Sequence, residues 1–423
     1  MKIEKMAAGG LGLGRLDGRI VFLPGVLPGE MVEVEVLETK SDYLRARPVE
    51  VLEPHPDRVV PPCRLFMVCG GCQFMHAAYA RQLELKVGAA LEKVLAYSAG
   101  QPELVPSPFP LFYRDRVRLQ LSPVRGNLAP GFFSAGTRCL VPVSFCHQLH
   151  PRLDLPALAD WMAPLARFDN PPTEMEVLMG TPREGAVIVL DFPQKPSPGQ
   201  MDLVAAGPEL KNSRRVFISV KGRLAGKADQ PAGPGVQWLR MDDLGLKLEA
   251  WPGAFTQVNP AINLLLVRKV LEEALARSPK NVLDLFSGLG NFTLPLAKAG
   301  MRVTGVESNP AAAANAIYNA RINGVRNARL FRADAQAAVT ELSKKGEKFD
   351  LVVLDPPRAG AKGLALALAR LEPRTVFYIS CHPAAMARDL AEFASLGYSL
   401  KKTAAFDMFP QTSHLEILAC LER

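Results

Sequence analysis

The stretch Asp284-Leu285-Phe286-Ser287-Gly288-Leu289-Gly290-Asn291-Phe292 decides the fold of this 423-residue chain. A short apolar run, Asn281 to Leu285, leads into it and predicts a β-strand, whereas Asn291 to Ala299 predicts a helix. Gly288 and Gly290 lie between them, where the absence of a Cβ atom lets the backbone approach a ligand closely. The stretch therefore predicts the ligand-binding turn of a strand–turn–helix unit.

This alternation of strand and helix continues to the C-terminus. Further strands are predicted at 302–306, 328–332, 351–354 and 376–379, and further helices at 261–276 and 310–323. Repeated units of this kind predict a doubly wound, Rossmann-like parallel sheet.

Acidic residues at the ends of these strands favour one class of cofactor. Glu307 ends the second strand, about 20 residues after the glycine turn, where an acid bonds the diol of a ribose. The turn lacks the G-x-G-x-x-G pattern of dinucleotide sites, because Asn291 follows Gly290. This difference favours S-adenosylmethionine over NAD. Asp334, after the third strand, is placed to bond the adenine amine.

Two further strand ends supply candidate catalytic groups. Asp355-Pro356-Pro357-Arg358 ends the fourth strand, and Cys381 ends the next. Although many lone cysteines are simply buried apolar residues, strand ends at this edge face the cofactor, so we interpret Cys381 as a nucleophile. An i, i+2 arrangement on one strand would point His414 and Glu416 to the same face. Glu416 is the candidate general base; the alternative is a charge on an edge strand.

The N-terminal half has a different pattern. Residues 1–55 contain short strands, such as 18–22 and 31–37, separated by glycine and proline, and predict a small β-barrel. Residues 56–98 contain a cysteine segment and a helix predicted at 77–97. Residues 99–250 predict an irregular α+β domain, with strands at 116–121 and 185–190 and a helix at 153–165. Residues 251–423 form the fourth unit.

Three thiols within ten residues suggest a metal centre. Cys63, Cys69 and Cys72 form this set, and Cys139 and Cys146 are candidates for a fourth ligand. Four thiolates suit either zinc or an iron–sulfur cluster.

Composition limits the remaining choices. The formal net charge of +8 favours a polyanionic partner such as RNA. No apolar run approaches the roughly 20 residues that span a bilayer. The N-terminus has no signal-peptide pattern. We therefore expect a cytoplasmic protein that does not bind membranes.

Several motifs closely resemble the RNA uridine-5 methyltransferase family, which makes 5-methyluridine. The resemblance extends over nearly the whole chain and is weakest from 150 to 240. The motifs are Phe255-Thr256-Gln257-Val258-Asn259, residues 284–292, Asp355-Pro356-Pro357-Arg358, Ser380-Cys381 and residues 409–416. Two positions depart from the family pattern: Ser287 stands where many members have Cys, and His382 stands where Asn or Asp is commoner. Neither difference removes a catalytic group.

The resemblance implies a fold and a set of roles. Residues 1–55 would be a TRAM domain, an oligonucleotide-binding barrel, and the C-terminal domain the methyltransferase. Cys381 would be the nucleophile and Glu416 the base. By resemblance to the 23S rRNA branch, a four-iron four-sulfur cluster would be bound in the middle region by Cys63, Cys69, Cys72 and Cys146. S-Adenosylmethionine would contact the glycine turn (Gly288 and Gly290) together with Gln257, Phe286, Asn291, Glu307, Asp334 and Asp355.

Some alternatives stay open. The first is the same reaction on a uridine of transfer RNA, although the implied iron–sulfur cluster resembles the ribosomal RNA branch of the family. An RNA-binding chaperone with a degenerate methyltransferase domain is the second, and an oxidoreductase using the metal centre is the third. The sequence does not identify the modified uridine. We expect a monomer.

Overall fold

The computed structural model describes residues 1–98, 100–124, 126–181, 185–205, 214–225 and 235–423. Three large sheets organise these residues, with 5, 7 and 8 strands. Among the described residues, no helix combines the length and the apolar character that crossing a bilayer requires.

The N-terminal sheet confirms the prediction of an all-β segment. Its strands, in the order β1-β2-β3-β5-β4, are β1 (Ile3–Ala7), β2 (Leu11–Leu16), β3 (Arg19–Pro24), β4 (Met31–Thr39) and β5 (Tyr43–Glu53). The first and last strands of this order meet, because Val32 N donates to Met1 O and Ile3 N to Glu30 O, each at 2.9 Å. The sheet therefore closes into a barrel around buried Ile3, Val21, Leu23 and Val32.

The predicted helix 77–97 is divided in two. Helix α1 (Tyr79–Ala90) is followed by α2 (Glu92–Leu95), and Leu91 lies between them. Leu83, Leu91 and Val94 share one apolar core with the C-terminal sheet. The next strand, β6 (Glu103–Val105), pairs in parallel with a strand of that same sheet. Although the sequence assigned β6 to residues 99–250, it lies at the edge of the C-terminal sheet.

The middle region is more regular than the sequence predicted. A seven-stranded sheet of order β13-β12-β11-β10-β7-β8-β9 organises it. Its elements are β7 (Arg116–Val124), β8 (Asn127–Phe133), β9 (Leu140–Pro142), α3 (Leu155–Met162), a 3₁₀ helix (Ala163–Arg167), β10 (Glu174–Met179), β11 (Ala186–Phe192), α4 (Pro198–Ala205), β12 (Arg214–Val220) and β13 (Arg223–Leu224). The alternating pattern that marks one-sided strands is weak here, because β10 and β11 are buried along most of their lengths.

The C-terminal region has the predicted doubly wound sheet. It contains a hairpin, β14 (Val236–Met241) and β15 (Leu246–Ala250), then α5 (Pro260–Arg277), β16 (Asn281–Leu285), α6 (Thr293–Lys298), β17 (Arg302–Glu307), α7 (Pro310–Ile322), β18 (Ala328–Arg332), α8 (Ala335–Lys344), β19 (Leu351–Leu354), α9 (Leu364–Leu368), β20 (Thr375–Ser380), α10 (Pro383–Ser395), β21 (Ser399–Phe406) and β22 (Glu416–Glu422). The strand order is β18-β17-β16-β19-β20-β22-β21-β6. Strands β16, β17 and β18 are added in one direction across the sheet, and β19 and β20 are added in the other, starting from the parallel pair β16 and β19. Such a switch point opens a ligand crevice at the carboxyl ends of the strands.

Candidate active site

The turn after β16 has the backbone geometry of a close-approach loop. Phe286, Gly288 and Gly290 have φ angles of 64°, 55° and 98°. A Cβ atom on Gly290 would lie 2.9 Å from the Leu294 side chain, so this position accepts only glycine without rearrangement. Ser287 N donates to Val306 O at 3.0 Å, which ties the turn to the end of β17. The turn therefore follows a tight path at the switch point, held by backbone hydrogen bonds.

Glu307 already faces this turn. Its Oε2 accepts from Gly288 N at 2.9 Å, and its Oε1 accepts from Asn309 N at 2.6 Å. The carboxylate therefore lies over the glycine turn, at the position where the sequence placed a ribose-binding acid.

The other predicted cofactor residues differ in burial and in their hydrogen-bond partners. Asn291 exchanges two 2.9 Å hydrogen bonds with Asn263 of α5, side chain to side chain. Gln257 is 6% exposed and lies just before the first turn of α5. Asp334 is exposed, and its carboxylate accepts from Ala337 N at 3.1 Å, so it also caps α8.

Two buried carboxyls give this crevice an unusual charge environment. Burial and the charge of Glu307 raise the pKa of Asp355 to about 7. Asp284 is fully buried, and burial raises its pKa to about 7, with a further contribution from Asp355. Thr293 Oγ1 donates to Asp284 Oδ2, whereas Oδ1 has no partner. Three acids within electrostatic reach of one another favour a cationic ligand. Sequence reasoning did not assign Asp284 to the site, although it is the first residue of the quoted stretch.

Cys381 and Glu416 lie near each other at the ends of neighbouring strands. Strands β20 and β22 pair antiparallel, and their last pair joins Ser380 to Ile417. Cys381 comes directly after Ser380 and Glu416 directly before Ile417, so both lie one position beyond this pair, and the charge of Glu416 acts on the Cys381 thiol. Glu416 is 3% exposed. His382 caps the following helix, since its Nδ1 accepts from Ala385 N at 3.1 Å.

The electrostatics agree with this proximity. Burial raises the pKa of Cys381 to about 11, and the charge of Glu416 adds to the increase, whereas Arg358 opposes it. Burial raises the pKa of Glu416 well above its ordinary value, with Asp355 adding and Arg358 opposing. Arg358 therefore acts on both groups from the loop after β19. Cys381, Glu416, Arg358 and Asp355 therefore lie within electrostatic reach of one another.

The expected pairing of His414 and Glu416 on one strand is wrong. Strand β22 begins at Glu416, and His414 lies in the preceding loop with an exposed side chain. Thr412 causes this difference, because its hydroxyl donates to Phe409 O at 2.8 Å and accepts from His414 N at 3.2 Å. These bonds form a turn that holds His414 out of the strand.

The cysteine segment borders the same region. Cys63, Cys69, Cys72 and Cys146 all line one cavity of about 210 Å³, which Arg358 and His414 also line. Cys139 is exposed and does not line it. In the part of the chain that the structure describes, no group of three or more His, Cys, Asp or Glu side chains meets the geometry of a metal site.

The thiols of this cavity interact electrostatically. Burial raises the pKa of Cys72 to about 12, with Cys146 adding to the increase and a hydrogen bond from Gln148 opposing it. That bond joins Gln148 Nε2 to Cys72 Sγ at 2.6 Å. Cys69 raises the pKa of Cys146 in the same way, after the larger effect of burial. The four thiols therefore face a common space.

Comparisons with known proteins give this arrangement a family. The family model described as tRNA (Uracil-5-)-methyltransferase matches residues 235–423, and the TRAM domain model matches residues 1–49. The chain is 35% identical to the 23S rRNA (uracil(1939)-C(5))-methyltransferase RlmD of Nitrosococcus oceani, over 100% of this chain and 95% of that protein. It is 34% identical to the protein of the same name from Shewanella amazonensis, again over 100% and 95%.

A solved structure with the same overall fold supports this relationship. The crystal structure of Pyrococcus abyssi tRNA (uracil-54, C5)-methyltransferase in complex with S-adenosyl-L-homocysteine aligns with a TM-score of 0.73 and 25% identity. The alignment covers 100% of this chain and 99% of that one. With a TRAM domain at its N-terminus and a methyltransferase domain at its C-terminus, the chain belongs to the family of RNA uracil-C5 methyltransferases.

Proposed function

We propose that this chain transfers a methyl group from S-adenosylmethionine to carbon 5 of a uridine in 23S rRNA, at the position equivalent to the one in its relatives' name. The observation that carries the proposal is that Cys381 and Glu416 lie one position beyond the last residue pair of β20 and β22, where the charge of Glu416 acts on the Cys381 thiol. Full-length relatives named for this reaction support the choice of substrate.

The first step is activation of the base. Carbon 5 of uracil is a weak nucleophile, and addition of the Cys381 thiolate to carbon 6 converts the ring to an enolate whose carbon 5 is reactive. Arg358 lowers the pKa of Cys381, and its charge suits the enolate oxygen. The target uridine leaves its stack to reach this site.

The second step is methyl transfer and release. Carbon 5 attacks the sulfonium methyl group, and S-adenosylhomocysteine leaves with the electron pair of the broken carbon–sulfur bond. Glu416 then removes the proton from carbon 5, and the ring expels the Cys381 thiolate as the 5,6 double bond forms again. Because burial raises the pKa of Glu416, the carboxylate is a stronger base than an exposed one.

The cofactor crevice suits a sulfonium cation. Burial, and then the charge of Glu307, raises the pKa of Asp355 to about 7, and a bound cation would favour the ionised form of both carboxyls. We assign the ribose diol to Glu307 and the adenine to the side of Asp334. Gln257, Phe286 and Asn291 complete the pocket with the glycine turn.

We assign the four cavity thiols to a four-iron four-sulfur cluster. Cys63, Cys69, Cys72 and Cys146 share one cavity, and burial together with neighbouring thiols raises the pKa of Cys69, Cys72 and Cys146, a conflict that a bound metal would relieve. When bound, the cluster supplies a covalent link between the cysteine segment and the middle sheet. The proposed chemistry requires no electron transfer, so we assign it a structural role.

The RNA surface is proposed on the barrel and the middle sheet. On these two elements, Lys40, Arg45, Arg47 and Arg118 have side chains 49 to 62% exposed. Tyr113 is 3% exposed and donates its hydroxyl to Pro410 O at 3.1 Å, so it is unable to stack on a base. Arg116 forms a salt bridge with Glu176 inside the protein.

The experiment compares two RNA substrates and two variants. Purified protein with S-adenosylmethionine should form 5-methyluridine in a 23S rRNA fragment that includes the relatives' target, and little or none in transfer RNA. Cys381→Ala should abolish methylation and keep cofactor binding. Glu416→Gln should permit methyl transfer but slow release, so a covalent protein–RNA adduct should accumulate on denaturing gels. If the protein methylates transfer RNA and not the 23S rRNA fragment, its substrate is transfer RNA, as the name of the Pyrococcus abyssi enzyme states for that protein. Full activity of Cys381→Ala would exclude the covalent route.

A further inference from the structure

The loop that delivers Glu416 into the site is held from outside the methyltransferase sheet. Residues 407–415 connect β21 to β22, and we call them the catalytic loop. Phe409, Thr412 and His414 of this loop line the cavity that also contains Arg358. The loop therefore lines the cavity that the cysteines share with Arg358.

Gln411, in the centre of this loop, has a left-handed backbone with φ of 69°. Side chains other than glycine disfavour this conformation, so surrounding contacts have to maintain it. Its carbonyl oxygen accepts from Gln73 N and Phe74 N, both at 2.9 Å. Its side-chain Nε2 donates to Pro110 O at 3.1 Å.

Gln82 of α1 supplies the remaining partners of Gln411. The Oε1 atom of Gln82 accepts from Gln411 N at 3.1 Å, and its Nε2 donates to Gln411 Oε1 at 2.9 Å. Gln82 is 1% exposed, and its Nε2 also lies 2.9 Å from Ala77 O. One buried side chain thus bonds both the backbone and the side chain of a strained residue 329 positions away.

The same helix and segment hold the loop at two other points. Lys86, one turn after Gln82, donates from Nζ to Asp407 Oδ1 at 2.6 Å and to Phe409 O at 3.0 Å. Both charged side chains of this pair are fully buried. Gln73 Oε1 accepts from Ser413 N at 3.2 Å. Contacts from the cysteine segment and α1 therefore cover the catalytic loop from its start to the residue before His414.

We propose that Gln82 is a positioning residue for the methylation reaction, which holds Gln411 in its left-handed conformation and so fixes the loop that carries His414 and leads into Glu416. The inference rests on the proposed function for its catalytic consequence. If Gln82 has this role, the segment that bears Cys63, Cys69 and Cys72 also helps to hold the catalytic loop in place, through the hydrogen bonds of Gln73 and Phe74. Gln82 itself touches neither the proposed substrate nor Cys381.

The test uses Gln82→Met in the full-length protein. Methionine keeps the length and helix preference of glutamine and removes both hydrogen bonds to Gln411. We expect kcat to fall about tenfold, a loss equal to about 1.4 kcal/mol, because a buried N–H group loses its partner. KM for RNA and affinity for S-adenosylmethionine should stay the same. The covalent adduct should accumulate as in Glu416→Gln, since proton removal is the step that the loop supports.

A matched control and a second variant make the result specific. Gln200 is equally buried, at 1% exposed, and its side chain accepts from Ser197 N in the middle region. Gln200→Met should leave kcat unchanged. Gln411→Ala removes the side-chain bond to Gln82 but keeps the bond from Gln411 N to Gln82 Oε1, so it should lower kcat in the same direction, and the two losses should not add fully in the double variant because they share the Gln82–Gln411 side-chain bond. Gln411→Ala carries the test by itself if Gln82→Met does not fold.

Amide hydrogen exchange separates this inference from the function on which it rests. In Gln82→Met, exchange should accelerate in the peptide 407–416 and stay unchanged in the glycine turn 284–292. Unchanged exchange in 407–416, unchanged kcat, or a kcat loss equal to that of Gln200→Met would overturn the positioning role. A wild-type protein that fails to methylate RNA would instead refute the proposed function, whatever the exchange data show.

Discussion

The reactivity of Cys381 offers a direct test of the site without any substrate. Its pKa of about 11 lies about two units above the ordinary cysteine value of 9.0, chiefly because the thiol is buried and also because it faces Glu416. Each unit changes the thiolate population tenfold, so Cys381 should carry about 100-fold less thiolate at neutral pH than an unperturbed cysteine. Since the thiolate is the form that reacts, alkylation should be slow by the same factor.

The assay is alkylation by iodoacetamide, followed by peptide mass spectrometry. The initial rate at Cys381 should rise about tenfold per pH unit from pH 7 to pH 10 without a plateau, because this range lies below the raised pKa. Cys139 is exposed and provides an internal reference for reagent activity. The folded protein should thus keep its nucleophile protonated until RNA arrives, which also protects it from oxidation.

Two variants identify the charged groups that shift the pKa of Cys381. Glu416→Gln removes a carboxylate that raises the pKa of Cys381, so alkylation should accelerate. Arg358→Met removes the charge that lowers the pKa, so alkylation should slow further. Glu341→Gln, at an exposed glutamate that pairs with Lys345, is the matched control and should change nothing. A plateau below pH 10 would refute the raised pKa of Cys381, and equal rates in Glu416→Gln and the wild type would refute the proximity of Cys381 and Glu416.

Two further predictions concern the metal centre and the RNA surface. Anaerobically purified protein should be brown and contain about four irons per chain, and replacing Cys146 should remove the iron, whereas replacing Cys139 should not; a colourless protein with stoichiometric zinc would refute this assignment. Replacing Arg45 and Arg47 together by glutamine should reduce the slope of log affinity for RNA against log salt by about 0.7 to 0.9 per lost phosphate contact. Substitution is a better test than deletion of residues 1–55, because Glu30 of the barrel bonds Arg58 at 2.7 Å. An unchanged slope would place the RNA elsewhere.

Local sequence determined the parts of the molecule that depend on neighbouring residues. The strand before Asp284, the glycine turn and Glu307 are all visible in sequence, because strand and helix periods and the conformational freedom of glycine act within a few residues. The order of strand and helix units then limits the topology to a doubly wound sheet. The barrel followed in the same way from short strands and regular turns.

The tertiary structure alone decided which distant groups meet. The register between β20 and β22 brings Cys381 and Glu416 next to the same last pair, Ser380 and Ile417, whereas the sequence gives only their separate strand ends. The break of the predicted helix at Leu91, the addition of β6 to the far sheet and the bond between Gln82 and Gln411 all depend on packing between segments far apart in the chain. Such contacts leave no periodic signal, because they depend on how preformed elements bury their apolar faces and satisfy buried polar atoms. The sequence therefore determined the chemical groups of the site, and the tertiary structure determined their distances and their ionisation.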